Sequence, residues 1–311
     1  MRFGIFGTGG VGGYFGVRLA QVGHEVGFVA RGRHLEAIRA EGLRLESPLG
    51  DAWLRDVEVS DEPAAISDVD VVLVAVKTWQ LADALAGIRR MARPGAFVLP
   101  LLNGVEAAAE LRRALGDEQV VEGCCRIISR LGEPGTIVHL GATPSIIFGE
   151  ADGSRSERCQ ALLSAFECAG VQAELSLAIR VEMWRKLLFV ASLGGVGAVT
   201  RAPIGAVRAV DETRRMLRQA MEEVAAVAAA HGAELPADAV AEALAFVDAL
   251  PAAGTSSLQR DIAAGHRSEL DAWSGDVVRL GRAQGIATPA HGAIFAALLP
   301  SELRARGELS F

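Results

Sequence analysis

The chain has 311 residues, enough for about two domains of roughly 150 residues each, so its size calls for no disulfide or metal staple. Hydrophobic residues make up 50% and charged residues 22%, which excludes wholesale disorder. A net charge of −7, from 31 basic and 38 acidic residues without a basic cluster, argues against nucleic acid as a partner.

In chain order, residues 1–6 make a strand candidate, followed by Gly7-Thr8-Gly9-Gly10-Val11-Gly12-Gly13 and a helix to about residue 22. Residues 25–30 read as a second strand and 34–41 as a helix, with a hairpin turning at Ser47-Pro48-Leu49-Gly50. The apolar runs 70–76 and 96–102 suit strands covered on both faces of a parallel sheet. Strand-rich segments at 120–128, 136–140 and 145–148 precede a helix at 156–169 and a strand at 171–175. Beyond Ser176 the pattern becomes helical: 211–231 stopped by Gly232, 237–250 by Pro251, 269–284 by Gly285 and 290–299 by Pro300. The expected fold class is an α/β Rossmann-type N-terminal domain over 1–176 followed by an all-helical C-terminal domain over 177–311.

The four cysteines lack a CxxC spacing and the six histidines lack an HExxH, so no metal site is expected. The start of the chain has no signal-peptide character. The least polar stretch, 187–199, is interrupted by Ser192 and glycines and is too short to span a bilayer. A cytoplasmic protein that does not engage membranes is expected. The alanine-rich residues 224–230 suit internal packing or the interface of a homodimer, and the sequence leaves both open.

A G-x-G-x-x-G at Gly7, Gly9 and Gly12 gains meaning from its context, since it follows a strand and opens a helix. Gly7 permits the tight turn, Gly9 lets a pyrophosphate approach the backbone, and Gly12 allows close helix–strand packing. The loop Gly7, Thr8, Gly9, Gly10, Val11 and Gly12 is therefore the candidate dinucleotide site, with the helix start facing the phosphates. Where an NAD-preferring site would place an acid after the second strand, this chain has Arg31, with Arg33 and His34 nearby. A guanidinium there matches a 2′-phosphate, so NADP(H) is the expected cofactor.

Only Lys77 and Lys186 among the 31 cations are lysines, and Asn103 is the single asparagine. Codon bias accounts for the arginines, and makes the exceptions informative. Lys77 follows one apolar strand and Asn103 another, at the carboxyl ends where open α/β sheets bind ligands, so both fall on the expected cofactor rim. Lys186 lies early in the first helix of the second domain. An ammonium gives up a proton when its environment is tuned, whereas a guanidinium does not, so a proton donor to a carbonyl oxygen tolerates Lys and excludes Arg. From spacing alone, helix capping by Ser256 or Ser257 and ordinary surface acidity also explain Ser257 and Glu269 in the polar stretch 255–271.

Together GTGGVGG, Arg31, VAVK ending at Lys77, LLNG at Asn103–Gly104, WRKL at Lys186, SSLQRDI…SELD around Ser257 and Glu269, and GRAQGIATP resemble the ketopantoate reductases (2-dehydropantoate 2-reductases) over nearly the whole chain. The resemblance implies a Rossmann domain that binds NADPH and a helical domain that closes over a small 2-oxo acid. It implies reduction of 2-dehydropantoate to pantoate, in pantothenate biosynthesis. It further implies that Lys186 is the general acid, that Asn103 and Ser257 hold substrate, that Glu269 positions the reacting group or the nicotinamide ribose, and that Lys77 touches the cofactor. One departure stands out. Such enzymes usually carry asparagines one and two turns after the lysine, and this chain has Val190 and Gly194. A D-2-hydroxy acid dehydrogenase acting on another 2-oxo acid is the alternative within the class, and a non-catalytic NADPH-binding sensor the alternative outside it.

Overall fold

A computed structural model describes residues 1–311, the side chain of Ala142 excepted. The chain forms two compact units, Met1–Leu102 with Glu106–Ile179, and Asn103–Val105 with Arg180–Phe311. The first unit alternates strands and helices, and the second is helical. The exception is the loop 103–105, which groups with the helices although the chain delivers it from the α/β unit.

The α/β unit begins β1 (Arg2–Phe6), α1 (Gly10–Gln21), β2 (Glu25–Val29), α2 (Gly32–Glu41), β3 (Leu43–Glu46), β4 (Ala52–Leu54) and β5 (Glu58–Ser60). It continues with β6 (Val71–Val74), α3 (Leu81–Met91), β7 (Phe97–Pro100), α4 (Ala107–Leu115), β8 (Glu122–Leu131), β9 (Thr136–Gly149), α5 (Glu157–Cys168) and β10 (Gln172–Leu175). One sheet has the order β5-β2-β1-β6-β7 with every pairing parallel, a Rossmann-type arrangement whose β1 is central. β6 and β7 are buried along their whole length, as continuous apolar runs require in a sheet covered on both faces. The second sheet orders β10-β9-β3-β4, with β8 antiparallel to β9.

The glycine- and proline-containing stretch 141–144, expected to separate two strands, instead lies within the single strand β9. The ladder with β8 is irregular there, because Arg126 pairs with Ser145 and Ile128 with Leu140. Gly141 takes φ +86° and Pro144 has no N–H to donate, so the extra residues are accommodated as a bulge.

The helical unit contains α6 (Ile179–Thr200, whose first residue belongs to the other unit), α7 (Ile204–Ala209), α8 (Asp211–Ala230), α9 (Ala239–Ala249), α10 (Ser257–Ala263), α11 (Asp276–Ala283) and α12 (Pro289–Ala305). Its core gathers Leu187, Leu188 and Val196 of α6 with Leu217, Met221 and Val224 of α8 and Ile294 of α12.

Two boundaries differ from the sequence reading. The helix expected over 269–284 starts as a π-turn, Asp271–Gly275, in which the Gly275 N–H donates to the Leu270 carbonyl at 3.0 Å. α12 runs through Pro300 instead of stopping there. Its last turn is held by the buried Glu302, which accepts a tertiary bond from the Ser268 N–H at 2.9 Å and a local one from the Arg306 Nε, one turn on, at 2.9 Å. Those bonds outweigh the hydrogen bond that proline cannot make.

No helix of the described residues is long and apolar enough to cross a membrane. Among the described residues the cysteines form no disulfide, and no group of histidine, cysteine and carboxylate side chains is arranged to hold a metal.

Candidate active site

In the α/β unit the glycine loop connects β1 to α1. Gly7 has φ +103°, a conformation a Cβ would strain. A Cβ on Gly12 would run into the Gly7 carbonyl oxygen, so this glycine is fixed by close packing of helix start against strand end. Gly9 is different: a Cβ there would meet nothing within 4 Å. Gly9 also precedes α1, and no side chain caps the helix. The first-turn N–H groups of such a helix have no partner within it. Gly10 abuts the β8 backbone, where a Cβ would lie 2.8 Å from Ser129 and Arg130. Val11 is half-buried in the first turn.

Thr8 is buried, and both its N–H and its hydroxyl donate to the Val29 carbonyl, at 3.1 and 2.9 Å. Its side chain ties the loop to β2. Arg31 precedes α2 and is exposed, as is Arg33. His34 turns inward; its Nδ1 accepts from the Gly135 N–H at 3.0 Å, and burial pushes its pKa down. Lys77 follows β6, is exposed, and places its Nζ 5.6 Å from the Trp79 ring centre.

The helical unit brings three sequence-distant residues together. Lys186 on α6 donates from Nζ to Asn103 Oδ1 at 2.8 Å, across 83 positions. The Asn103 Nδ2 donates to Glu269 Oε2, also at 2.8 Å, across 166 positions. Lys186 is 8% exposed and Glu269 5%, so a cation and an anion are both largely removed from water and joined through one amide. An ammonium only donates and a carboxylate only accepts, which fixes the orientation of that amide. Gly104 has φ +91°, and a Cβ there would lie 3.0 Å from the Ala272 carbonyl oxygen. The loop carrying Asn103 is thereby pressed against the π-turn, in a conformation suited to glycine.

Beyond Lys186, the half-buried Val190 and the buried Gly194 follow at four-residue spacing on the same face of α6. The place a Gly194 side chain would occupy is taken: a Cβ would lie 2.6 Å from Trp273 Cζ3 and 3.4 Å from the Ser256 hydroxyl. Trp273 belongs to the π-turn, and its backbone N–H donates to the Glu269 carbonyl at 3.1 Å. Ser256 caps α10 by accepting from the Gln259 N–H at 3.0 Å. Ser257 is half-buried at the first position of α10, outside the Lys186–Asn103–Glu269 set. Ser256 was read in the sequence as a helix-cap candidate, a role it fills at the start of α10. Trp273 was not singled out, and its only signal was the missing side chain at position 194, which says nothing about what fills the gap.

The family described as Ketopantoate reductase PanE/ApbA matches residues 3–153, and its C-terminal counterpart matches residues 178–302. The chain belongs to the ketopantoate reductase family. This family member is 31% identical over 307 residues to the uncharacterized oxidoreductase YkpB of Bacillus subtilis, covering 96% of this chain and 98% of that one. It is 30% identical to a 2-dehydropantoate 2-reductase of Halobacterium salinarum, over 93% of this chain and 95% of that one. Among solved structures, a PanE/ApbA family ketopantoate reductase from Ralstonia eutropha superposes with a TM-score of 0.90 and 33% identity, covering 98% of this chain and 100% of that one. A D-mandelate dehydrogenase shares the fold, with a TM-score of 0.87 at 22% identity and coverage of 98% and 99%. The protein is an oxidoreductase of this family with a Rossmann-type domain and a helical domain.

Proposed function

We propose that the protein reduces a small 2-oxo acid to its 2-hydroxy acid with NADPH, with 2-dehydropantoate to pantoate as the first candidate reaction. The observation that carries this reading is the buried Lys186–Asn103–Glu269 chain of hydrogen bonds. The names of the family and of several relatives, 2-dehydropantoate 2-reductase, agree with it.

The glycine loop suits the cofactor. Open space at Gly9 and an uncapped α1 start leave backbone N–H groups for a pyrophosphate, and the exposed Arg31 suits a 2′-phosphate. Lys77 and the backbone of Gly7, Thr8, Gly10, Val11 and Gly12 complete the proposed cofactor contacts. When bound, the nicotinamide supplies the hydride.

Hydride addition to a ketone leaves negative charge on its oxygen, and Lys186 is the residue assigned to stabilise and protonate that oxygen. Asn103 holds the ammonium in place from its amide oxygen and is assigned a contact to substrate. Glu269 holds Asn103 from the other side and orients the reacting group or the nicotinamide ribose. Ser257 is assigned to the substrate carboxylate or its distal hydroxyl.

A second reading, a D-2-hydroxy acid dehydrogenase for a less polar 2-oxo acid, is favoured by one observation: the indole of Trp273 beside Gly194. A spectrophotometric screen of NADPH consumption over 2-oxo acids, 2-dehydropantoate included, tests both readings. Turnover of at least one acid is expected. Tight NADPH binding without consumption of any would mark a sensor instead of an enzyme.

A further inference from the structure

The carboxylate of Glu302, near the end of α12, is buried with its side chain wholly removed from water. Burying a charge is costly, and well-packed hydrocarbon would hold a helix end as well. The oxygens of this carboxylate are directed at one short stretch of chain. Oε2 accepts from the Ser268 N–H at 2.9 Å and from the Ser268 hydroxyl at 2.5 Å. The same hydroxyl accepts from the Leu270 N–H at 3.3 Å. Oε1 accepts from Arg306 Nε at 2.9 Å, and that guanidinium reaches on from Nη2 to the Asp271 carboxylate. Residues 268, 270 and 271 are all tied to one carboxylate, and the residue they surround is Glu269.

Glu269 depends on such a frame. It lies between α10 and the π-turn, in neither a helix nor a strand, so no regular ladder fixes its position. The Trp273 backbone N–H holds its carbonyl at 3.1 Å, on the side leading into the turn. Its carboxylate accepts from Asn103 Nδ2, and Asn103 Oδ1 accepts from Lys186 Nζ, both at 2.8 Å. A small displacement of residue 268 moves the Glu269 carboxylate. The amide must follow, because one of its ends only donates and the other only accepts. Ser268 and Glu302 are each 1% exposed, so water does not stand in for either. Glutamine would not serve at 302, since donors reach both oxygens and its NH₂ would face one of them.

We propose that Glu302 and Ser268 are positioning residues: they fix the backbone on both sides of Glu269 and, through Glu269 and Asn103, aim the Lys186 ammonium. This rests on the reading of Lys186 as the proton donor and adds the residues that hold it in place.

The chain has a single asparagine, which gives the test a direct readout. With isotope-labelled asparagine, one side-chain NH₂ signal in the NMR spectrum reports the bond from Asn103 to Glu269. Glu269→Gln removes the carboxylate from that bond and sets the displaced position of the signal. Ser268→Ala keeps the backbone N–H and removes the hydroxyl. It is expected to move the signal toward the displaced position and to lower kcat by about 10- to 100-fold. In a Glu269→Gln background the same substitution should cost less than about two-fold, because effects routed through one residue do not add. A hydroxyl that merely supports the fold would lower kcat by the same factor in both backgrounds. That result overturns the inference, as does an Asn103 signal that stays at the parent position. If Ser268→Ala does not fold, Arg306→Lys decides by the same signal, since it leaves Ser268 and Glu302 in place and breaks the fork to Asp271. Should the parent reduce no 2-oxo acid, the proposed reaction fails by itself, and the Asn103 signal still decides whether Glu302 and Ser268 position Glu269.

Discussion

The glycine loop and the Lys186 cluster carry chemistry in opposite ways. At Gly7–Gly12 the functional feature is the removal of side chains: Gly12 has no room for a Cβ, and Gly9 has open space around it. At Lys186 the feature is three side chains matched as donor, amide bridge and acceptor, in a largely buried setting. A backbone site is sensitive to what is added, and a side-chain site to what is taken away. The contrast also separates two kinds of glycine in one loop, one needed for folding and one for ligand access.

The contrast is broken most sharply at Lys186. Lys186→Ala should lower kcat/KM by about 10²–10⁴-fold while NADPH binding, followed by fluorescence titration, changes only a few-fold. Lys186→Arg should not restore turnover, because guanidinium does not release a proton. Retention of turnover by the alanine variant would remove the assigned acid.

The next largest effect concerns the packing behind the π-turn. His291 is fully buried; its Nε2 lies 3.1 Å from the Ala220 carbonyl and its Nδ1 3.2 Å from the Ser274 hydroxyl. A carbonyl only accepts, so Nε2 carries the hydrogen and Nδ1 accepts from the serine. Burial lowers the pKa of His291 from 6.5 to about 4. Because the folded value lies below the unfolded one, the unfolded chain takes up a proton that the folded chain refuses. The stability is fully present above pH 6.5 and is lost as the pH falls toward 4, by about 3 kcal/mol in all. Urea unfolding of the parent and of His291→Asn between pH 7.5 and 4.5 should show this pH-dependent difference, with the variant's slope the flatter. Parallel slopes would show that His291 does not refuse the proton.

The two glycines sharpen the comparison within the loop. Gly12→Ala should lower the melting temperature, with an overpacking cost of about 1–3 kcal/mol. Gly9→Ala should melt like the parent yet bind NADPH about 10-fold or more weakly, since only the ligand meets the new methyl. Equal effects of the two on melting would erase the distinction. The smallest expected effect is at the cofactor's far end. Arg31→Ala should weaken NADPH by about 10-fold, roughly 1.4 kcal/mol, and leave NADH within about two-fold. Titrating both coenzymes at low and high salt checks this, and an equal loss for both would remove the 2′-phosphate role.

Much of the α/β unit was readable because its signals are local. Apolar runs gave β6 and β7, and a strand–glycine–helix succession gave the loop. Where the reading failed, a tertiary contact had overridden a local signal. Gly141 and Pro144 suggested a strand break, but the β8 ladder continues past them through a bulge. Pro300 suggested a helix end, but the bonds to Glu302 hold the next turn. The rare residues Lys186 and Asn103 attracted attention by composition, whereas Glu269 was distinguished only by family resemblance. Ser257 was singled out in the sequence, but the serine beside Gly194 is its neighbour Ser256.

By itself the sequence determined the order of elements, the glycine positions and the identity of the two lysines and the asparagine, because backbone preferences and residue chemistry act at short range. Only the tertiary structure decided that Asn103 leaves the α/β unit to join the helices, that its amide spans Lys186 and Glu269, and that Trp273 occupies the place of a side chain at Gly194. Those contacts join residues up to 166 positions apart, and the apolar stripe of a helix shows that a face is buried without showing which distant residue it meets.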